Sequence, residues 1–227
     1  MAYYNRSIKI IMMFFLTTLV SSQNVFPQAD SQFRIGRLKY SGGSDWYNDP
    51  SAEVNLLKYA QEHAGIDALP RYEFVEPSSD RLFSYPMLFM TGHGNIVFSE
   101  YEVKQLREYL VRGGFLYVDD DYGLDKAFRR EMKKVFPQSQ IVELPFSYGL
   151  YHCWFDFPNG VPKIHEHDKG APQGFGIFYE GRLVVFYTFE SNPSDGWADP
   201  EIHNDPPEVR EKALRFGTNI LVWALTH

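Results

Sequence analysis

The chain has 227 residues, 44% of them hydrophobic and 22% charged, a globular composition rather than a disordered one. Its formal charge is −7 and no basic cluster breaks the pattern, which argues against a nucleic-acid partner, since phosphate binding needs a concentrated Lys/Arg face. Cys153 is the single cysteine, which excludes an internal disulfide, a CxxC redox pair and a cysteine-based zinc knuckle.

Arg6 and Lys9 precede an apolar run from Ile10 to Val20, followed by Ser21-Ser22-Gln23-Asn24. A positive start, a short greasy middle and small residues after it read as a secretory signal peptide over residues 1–22, cleaved after Ser22. The run is short of the roughly 20 apolar residues that span a bilayer, so contact with a membrane is expected only through an uncleaved signal segment. Without residues 1–22 the charge becomes −9, and such an acidic chain is repelled by anionic membrane surfaces. The expected location is periplasmic or extracellular, with residues 23–227 as a single α/β domain.

Phe33 to Tyr40 alternates apolar and polar residues like a half-buried strand, and Gly42-Gly43 breaks it. Asp49-Pro50 opens a helix, with Asp49 as cap and Pro50 at the first helical position; Val54, Leu57 and Ala60 form its stripe and Gly65 ends it. Arg71 to Val75 is a short strand, and the nearly all-apolar Tyr85 to Met90 is a strand covered on both faces. Ser99 and Glu102 form a capping box before a helix carrying Val103, Leu106 and Leu110. Phe115 to Val118 is a further buried strand, Leu124 to Val135 a helix, and Ile141 to Leu144 a fifth strand. Phe175–Tyr179 and Leu183–Phe189 form a hairpin around Glu180-Gly181. Val209, Ala213, Phe216, Ile220 and Ala224 mark a closing amphipathic helix.

That order predicts an open, mainly parallel sheet sandwiched by helices, with an antiparallel hairpin near the C-terminus. A long loop insertion at about 145–174, rich in Pro, Gly and aromatics, has no periodicity and is either a functional cover or a stretch whose elements the pattern fails to show.

In such sheets ligands bind beyond the carboxyl ends of the strands. Four polar clusters fall there: Ser41–Trp46, with Asp45 and Trp46; Thr91–Asn95, with Gly92, His93 and Gly94; Asp119, Asp120 and Asp121; and the loop reaching Ser194–Trp197, with Asp195 and Trp197. Asp119, Asp120 and His93 are the candidate catalytic groups, as base, cation ligand or polarising imidazole. The two tryptophans suit stacking on a sugar or another planar ligand, against the alternative that both are core. His165 and His167 point the same way in an extended chain and, with His152, are the candidate ligands of zinc or another divalent cation; the alternative is a hydrogen-bonded loop. There is no HExxH, Walker loop, GxGxxG or nucleophile elbow. The aromatic setting of Cys153 suits packing rather than an activated thiolate.

The tract 33–50 (FRIGRLKYSGGSDWYNDP), Thr91-Gly92-His93-Gly94, Gly113-Gly114-Phe115-Leu116 running into Asp119-Asp120, Leu183–Tyr187 and Ser194–Trp197 together resemble the bacterial domain of unknown function 4159 family. The resemblance also takes in Phe98-Ser99-Glu100, Leu106 and a closing helix with Gly217, Asn219 and Ile220, and so covers nearly all of the chain past the signal. It implies a flavodoxin-like sandwich similar to the class I glutamine amidotransferase-like fold, often exported, with no activity to carry over. Where the family pattern has His-Pro after Leu144-Pro145, this chain has Tyr148-Gly149, which weakens any site on that loop. The wider fold class uses an elbow cysteine for amide hydrolysis. Here that nucleophile is missing, so glutaminase activity is not expected.

Two functions follow. One is an exported domain binding a small molecule, glycan or peptide at the carboxyl ends of the strands. The other is a metal-assisted hydrolase using Asp119/Asp120 and a His cluster.

Overall fold

The computed structural model describes residues 32–165 and 167–227; the expected signal segment lies outside them. A seven-stranded sheet runs in the order β2-β1-β3-β4-β7-β6-β5. Its strands are β1 (Ile35–Leu38), β2 (Phe74–Val75), β3 (Met87–His93), β4 (Phe115–Tyr122), β5 (Val142–Glu143), β6 (Gln173–Tyr179) and β7 (Arg182–Phe189). Pairing is parallel from β2 through β7, and β6 runs antiparallel between β7 and β5.

Helices cover both faces, as the alternation of elements predicts. α1 (Ala52–Ala64) and the closing helix α5 (Pro207–Thr226) bury Leu56, Leu57, Ala60, Ala213, Phe216 and Ile220 against Ile35, Phe89 and Tyr117. On the other face α2 (Glu100–Val111) and α3 (Asp125–Val135) bury Leu106, Leu110, Phe128 and Met132 against Leu88, Leu116 and Val118. A fully buried side chain of this size is worth roughly 1.5–3 kcal/mol, so these two layers supply the bulk of the driving force. A short helix, α4 (Pro200–His203), precedes α5.

Several local expectations hold for their stated reasons. Ser99 and Glu102 form the reciprocal capping box. Glu180 and Gly181 both take positive φ, 49° and 81°, the reversal that a two-residue hairpin turn requires.

Others are corrected. β1 is buried on both faces rather than half-buried, because Arg37 points inward to an ionic partner. Asp49 does not cap α1; it adopts a left-handed φ of 44° and turns its carboxylate toward His203. β3 and β4 run three and four residues past their apolar runs, so the expected loop residues Thr91–His93 and Asp119–Tyr122 are strand. Parallel pairing of Thr91 with Asp119 and Gly92 with Asp120 supplies ladder hydrogen bonds that apolar patterning alone does not announce.

The stretch 145–174 contains one 3-10 turn, Gly149–Tyr151, and buries Leu150, Tyr151, Phe157 and Val161 in the same layer as α5. Among the described residues, no helix is long and apolar enough to cross a membrane.

Candidate functional site

The sheet order places a switch between β1 and β3: the chain leaves β1 for β2 on one side and β3 for β4 on the other. Crossovers that diverge in this way open a crevice at the carboxyl ends of the two strands. Asp45, from the loop after β1, and His93, from the end of β3, meet across that crevice. Asp45 Oδ1 accepts the His93 backbone N–H at 2.7 Å, and Oδ2 lies 2.9 Å from His93 Nδ1. Asp121 Oδ2 lies 3.2 Å from the same nitrogen. The imidazole is about half exposed, at 51%, and Nε2 makes no hydrogen bond among the described residues. Partial burial pulls the His93 imidazole down, but Asp121 and Asp45 outweigh it and hold its pKa raised. Burial likewise pushes Asp45 up, and the bonds from His93 prevail and lower it. Carboxylates that hold Nδ1 leave Nε2 to face a ligand, the arrangement of an acid–base or ligating histidine.

Gly92 makes the contact geometrically feasible. A Cβ there would sit 2.6 Å from both Tyr40 OH and Ser44 Oγ and 3.1 Å from Asp45 Oδ1, on a backbone of φ +139°. Arg37 supports the same loop from beneath: its guanidinium donates to the carbonyls of Trp46, Asn48 and Asp49.

The triple aspartate is split by strand alternation. Successive side chains of β4 face opposite sides of the sheet, so Asp119 and Asp121 share a side and Asp120 does not. Asp119 is fully buried, with Oδ1 receiving Thr188 Oγ1 at 2.6 Å and Oδ2 the Ser194 N–H at 2.8 Å; burial pushes its pKa to about 8. Asp120 accepts the Leu124 N–H at the start of α3 at 2.8 Å and Tyr187 OH at 3.1 Å. Both are occupied by the framework. Asp121 is the member at the crevice, where burial, with Asp195 nearby, raises its pKa to about 6.

Beyond β7 the backbone turns through Asn192, whose amide binds Asp121 Oδ1 at 2.7 Å and Asp195 Oδ2 at 3.0 Å, tying the first network to a second. There His165 Nδ1 lies 2.6 Å from Asp195 Oδ2 and its Nε2 2.7 Å from Asp205 Oδ1. The Asp195 hydrogen bond, with that of Asp205, overcomes burial and raises the His165 pKa to about 9. His203, on α4, lies 2.9 Å from Asp49 Oδ2. His203, Asp49 and Asp205 are the residues that sequence reasoning missed. The signal present was only a run of polar residues around Pro200, Pro206 and Pro207, with no periodicity linking it to a strand end.

Thus Asp45, Gly92, His93, Asp121 and Asp195 are gathered at one edge, with Gly94 just past the end of β3 and Trp46 beside Asp45. Trp197 is not on the rim. It is 0% exposed, donates its indole N–H to Ala213 O at 2.9 Å, and packs on Phe89 and Tyr117. The three expected metal-binding histidines do not converge either. His152 Nδ1 and Nε2 contact Asp156 and Phe146 O on the surface, and His167 Nε2 contacts Asn192 Oδ1, while His165 alone joins the carboxylate cluster. Cys153 is packed, with burial pushing its thiol to about 11.

The fold and site define a doubly wound α/β domain with a His/Asp-rich mouth at its switch point. The family model described as "Domain of unknown function (DUF4159)" matches residues 34–225, and the chain belongs to that family. Among curated proteins, none matches the chain.

Proposed function

We propose that the protein is an exported binding domain whose crevice between β1 and β3 takes a polyhydroxylated ligand of the glycan class. The observation that carries this reading is the aromatic rim continuous with Asp45. Trp46 packs edge-on to Tyr47 at 5.5 Å and tilts over Phe74 at 5.4 Å; Tyr47 and Phe74 are exposed. Aromatic faces suit the apolar faces of sugar rings, and Asp45 and His93 beside them suit hydroxyl groups. The apolar run Ile10–Val20 supports export to the periplasm or beyond. The strand order supports a relationship to flavodoxin-like and class I glutamine amidotransferase-like folds, with an imidazole, not a thiol, at the end of β3.

The test is a tryptophan-fluorescence titration of the full chain with a panel of soluble glycans, repeated on Trp46→Ala and Asp45→Asn. Saturable quenching that weakens about tenfold in each variant is expected, the equivalent of about 1.4 kcal/mol. Silence across the panel overturns the reading. Mass spectrometry of the exported chain checks cleavage after Ser22.

A second reading, metal-assisted hydrolysis, is favoured by the convergence of His165, Asp195 and His203. In it the acid–base groups are His93 and Asp121 rather than Asp119 and Asp120, which the framework already uses.

A further inference from the structure

We infer that His165, Asp195 and His203 bind one divalent first-row transition ion of the zinc class. The three residues come from separate segments: the long 145–174 stretch, the turn after β7, and α4. Each offers a ligand atom, and these atoms all lie within 4.8 Å of one another.

The independent sign is an orphaned oxygen. Asp195 is only 4% exposed, and its Oδ1 is buried without a hydrogen-bond partner, 3.9 Å from His203 Nε2. A buried carboxylate oxygen left unpaired bears its full desolvation penalty, and a cation between it and the imidazoles offsets that cost. Asp205 Oδ2, behind His165, is buried and unpaired as well.

The surroundings are those of a ligating set. Asp205 lies against His165 Nε2, the nitrogen away from Asp195, and a carboxylate that grips an imidazole there fixes its tautomer and ring orientation, whereas Asp49 faces the ligating nitrogen of His203 itself as a further oxygen beside the site. Three carboxylates, Asp49, Asp195 and Asp205, converge on two imidazoles, and among the described residues no Lys or Arg side chain bonds to any of them. The local field therefore favours a cation. Two imidazole nitrogens with one carboxylate oxygen suit Zn²⁺ or a neighbouring ion, whereas Mg²⁺ and Ca²⁺ prefer oxygen-only sites. His152 has no part in this, since both its nitrogens are engaged elsewhere.

This site deepens the crevice reading, sharing its location, and joins His93 through Asn192 and Asp121. The two fall separately. A zinc titration needs no organic ligand, and a glycan titration run with chelator present reports on the rim alone.

The experiment is isothermal titration of the full chain, stripped of metal, with Zn²⁺, alongside Co²⁺ absorption spectroscopy and a Mg²⁺ control. Saturation at one Zn²⁺ per chain is expected, with a visible Co²⁺ band of low-coordinate N/O type and no response to Mg²⁺. His203→Gln, on the partly exposed α4, preserves the fold and abolishes both signals. Asp205→Asn weakens binding about 10–100-fold, the usual loss for a group that orients a ligating histidine. His152→Gln leaves binding unchanged. No saturable Zn²⁺ binding, or binding that survives His203→Gln, overturns the inference. If Asp195→Asn fails to fold, His203→Gln still decides it.

Discussion

Arg37 and Glu53 form a two-pronged ion pair in the interior, with Nε to Oε1 and Nη2 to Oε2 both at 2.6 Å. Both side chains are essentially inaccessible to solvent. Burial pushes the Glu53 carboxyl up and Arg37 only partly offsets it, so the pair contributes less than its geometry suggests. What it does secure is position. The free edge of the guanidinium holds the carbonyls of Trp46, Asn48 and Asp49, and so sets the loop that carries Asp45.

Removing one partner leaves a buried charge. Glu53→Leu is expected to cost about 3–5 kcal/mol in urea unfolding, while Arg37→Met with Glu53→Leu recovers part of that loss. A double variant as stable as the parent in which Asp45 still engages His93 would contradict the positioning role.

Gly92→Ala tests the closeness of the Asp45–His93 contact. The added methyl meets Tyr40 and Ser44 oxygens at 2.6 Å on a backbone that L side chains rarely adopt. Overpacking of this kind costs typically 1–3 kcal/mol, and the His93 ring resonances in NMR should move to those of an unpaired histidine.

Stability is expected to fall as pH rises from 5 to 9. In the unfolded chain Asp119 ionises near its ordinary value of 3.8, whereas in the fold it keeps its proton to about 8. Between those values the folded state binds more protons, so each step upward in pH favours unfolding. Asp121, with its pKa at about 6, adds the same sign over a narrower window. His93, raised, contributes stability that is present below its unfolded value and lost as pH rises through the folded one. Thermal midpoints across this range measure the trend, and Asp119→Asn, which cannot ionise, should flatten it. A midpoint that climbs with pH would contradict the assignment.

The tryptophans should separate spectroscopically. Trp197, enclosed by Phe89 and Tyr117, is expected to emit at short wavelength and resist acrylamide quenching, whereas Trp46 is half-buried and Trp154 exposed. Trp197→Ala should destabilise by about 3–5 kcal/mol, as loss of a buried indole does elsewhere. Ligand-induced quenching, by contrast, should weaken in Trp46→Ala and be unchanged in Trp197→Ala.

The rim at the strand ends was legible because open α/β topology dictates where loops gather, and Asp45, His93 and Asp195 followed from that rule alone. Residue roles within it were not. Asp120 parts from Asp119 and Asp121 because strand β4 outlasts its apolar run and pleating alternates its side chains, while Asp119 differs from Asp121 because Thr188 and Ser194 occupy its carboxylate. For Trp197 the sequence leaves rim stacking and core packing both open, and the 3-10 turn Asp195–Trp197 decides for the core by folding it beneath α5.

Local chemistry in the chain determined its elements: the capping box at Ser99, the Glu180-Gly181 reversal, and the apolar periods that specify two-sided burial. These depend on neighbours within a few positions, which a sequence displays directly. Which imidazole meets which carboxylate was decided only in three dimensions. His165, Asp195 and His203 are spaced by 30 and 8 residues, and Asp49 lies 154 residues from His203, contacts with no local period. They arise because parallel strands set their carboxyl ends side by side, and the loops beyond must then share one acidic edge.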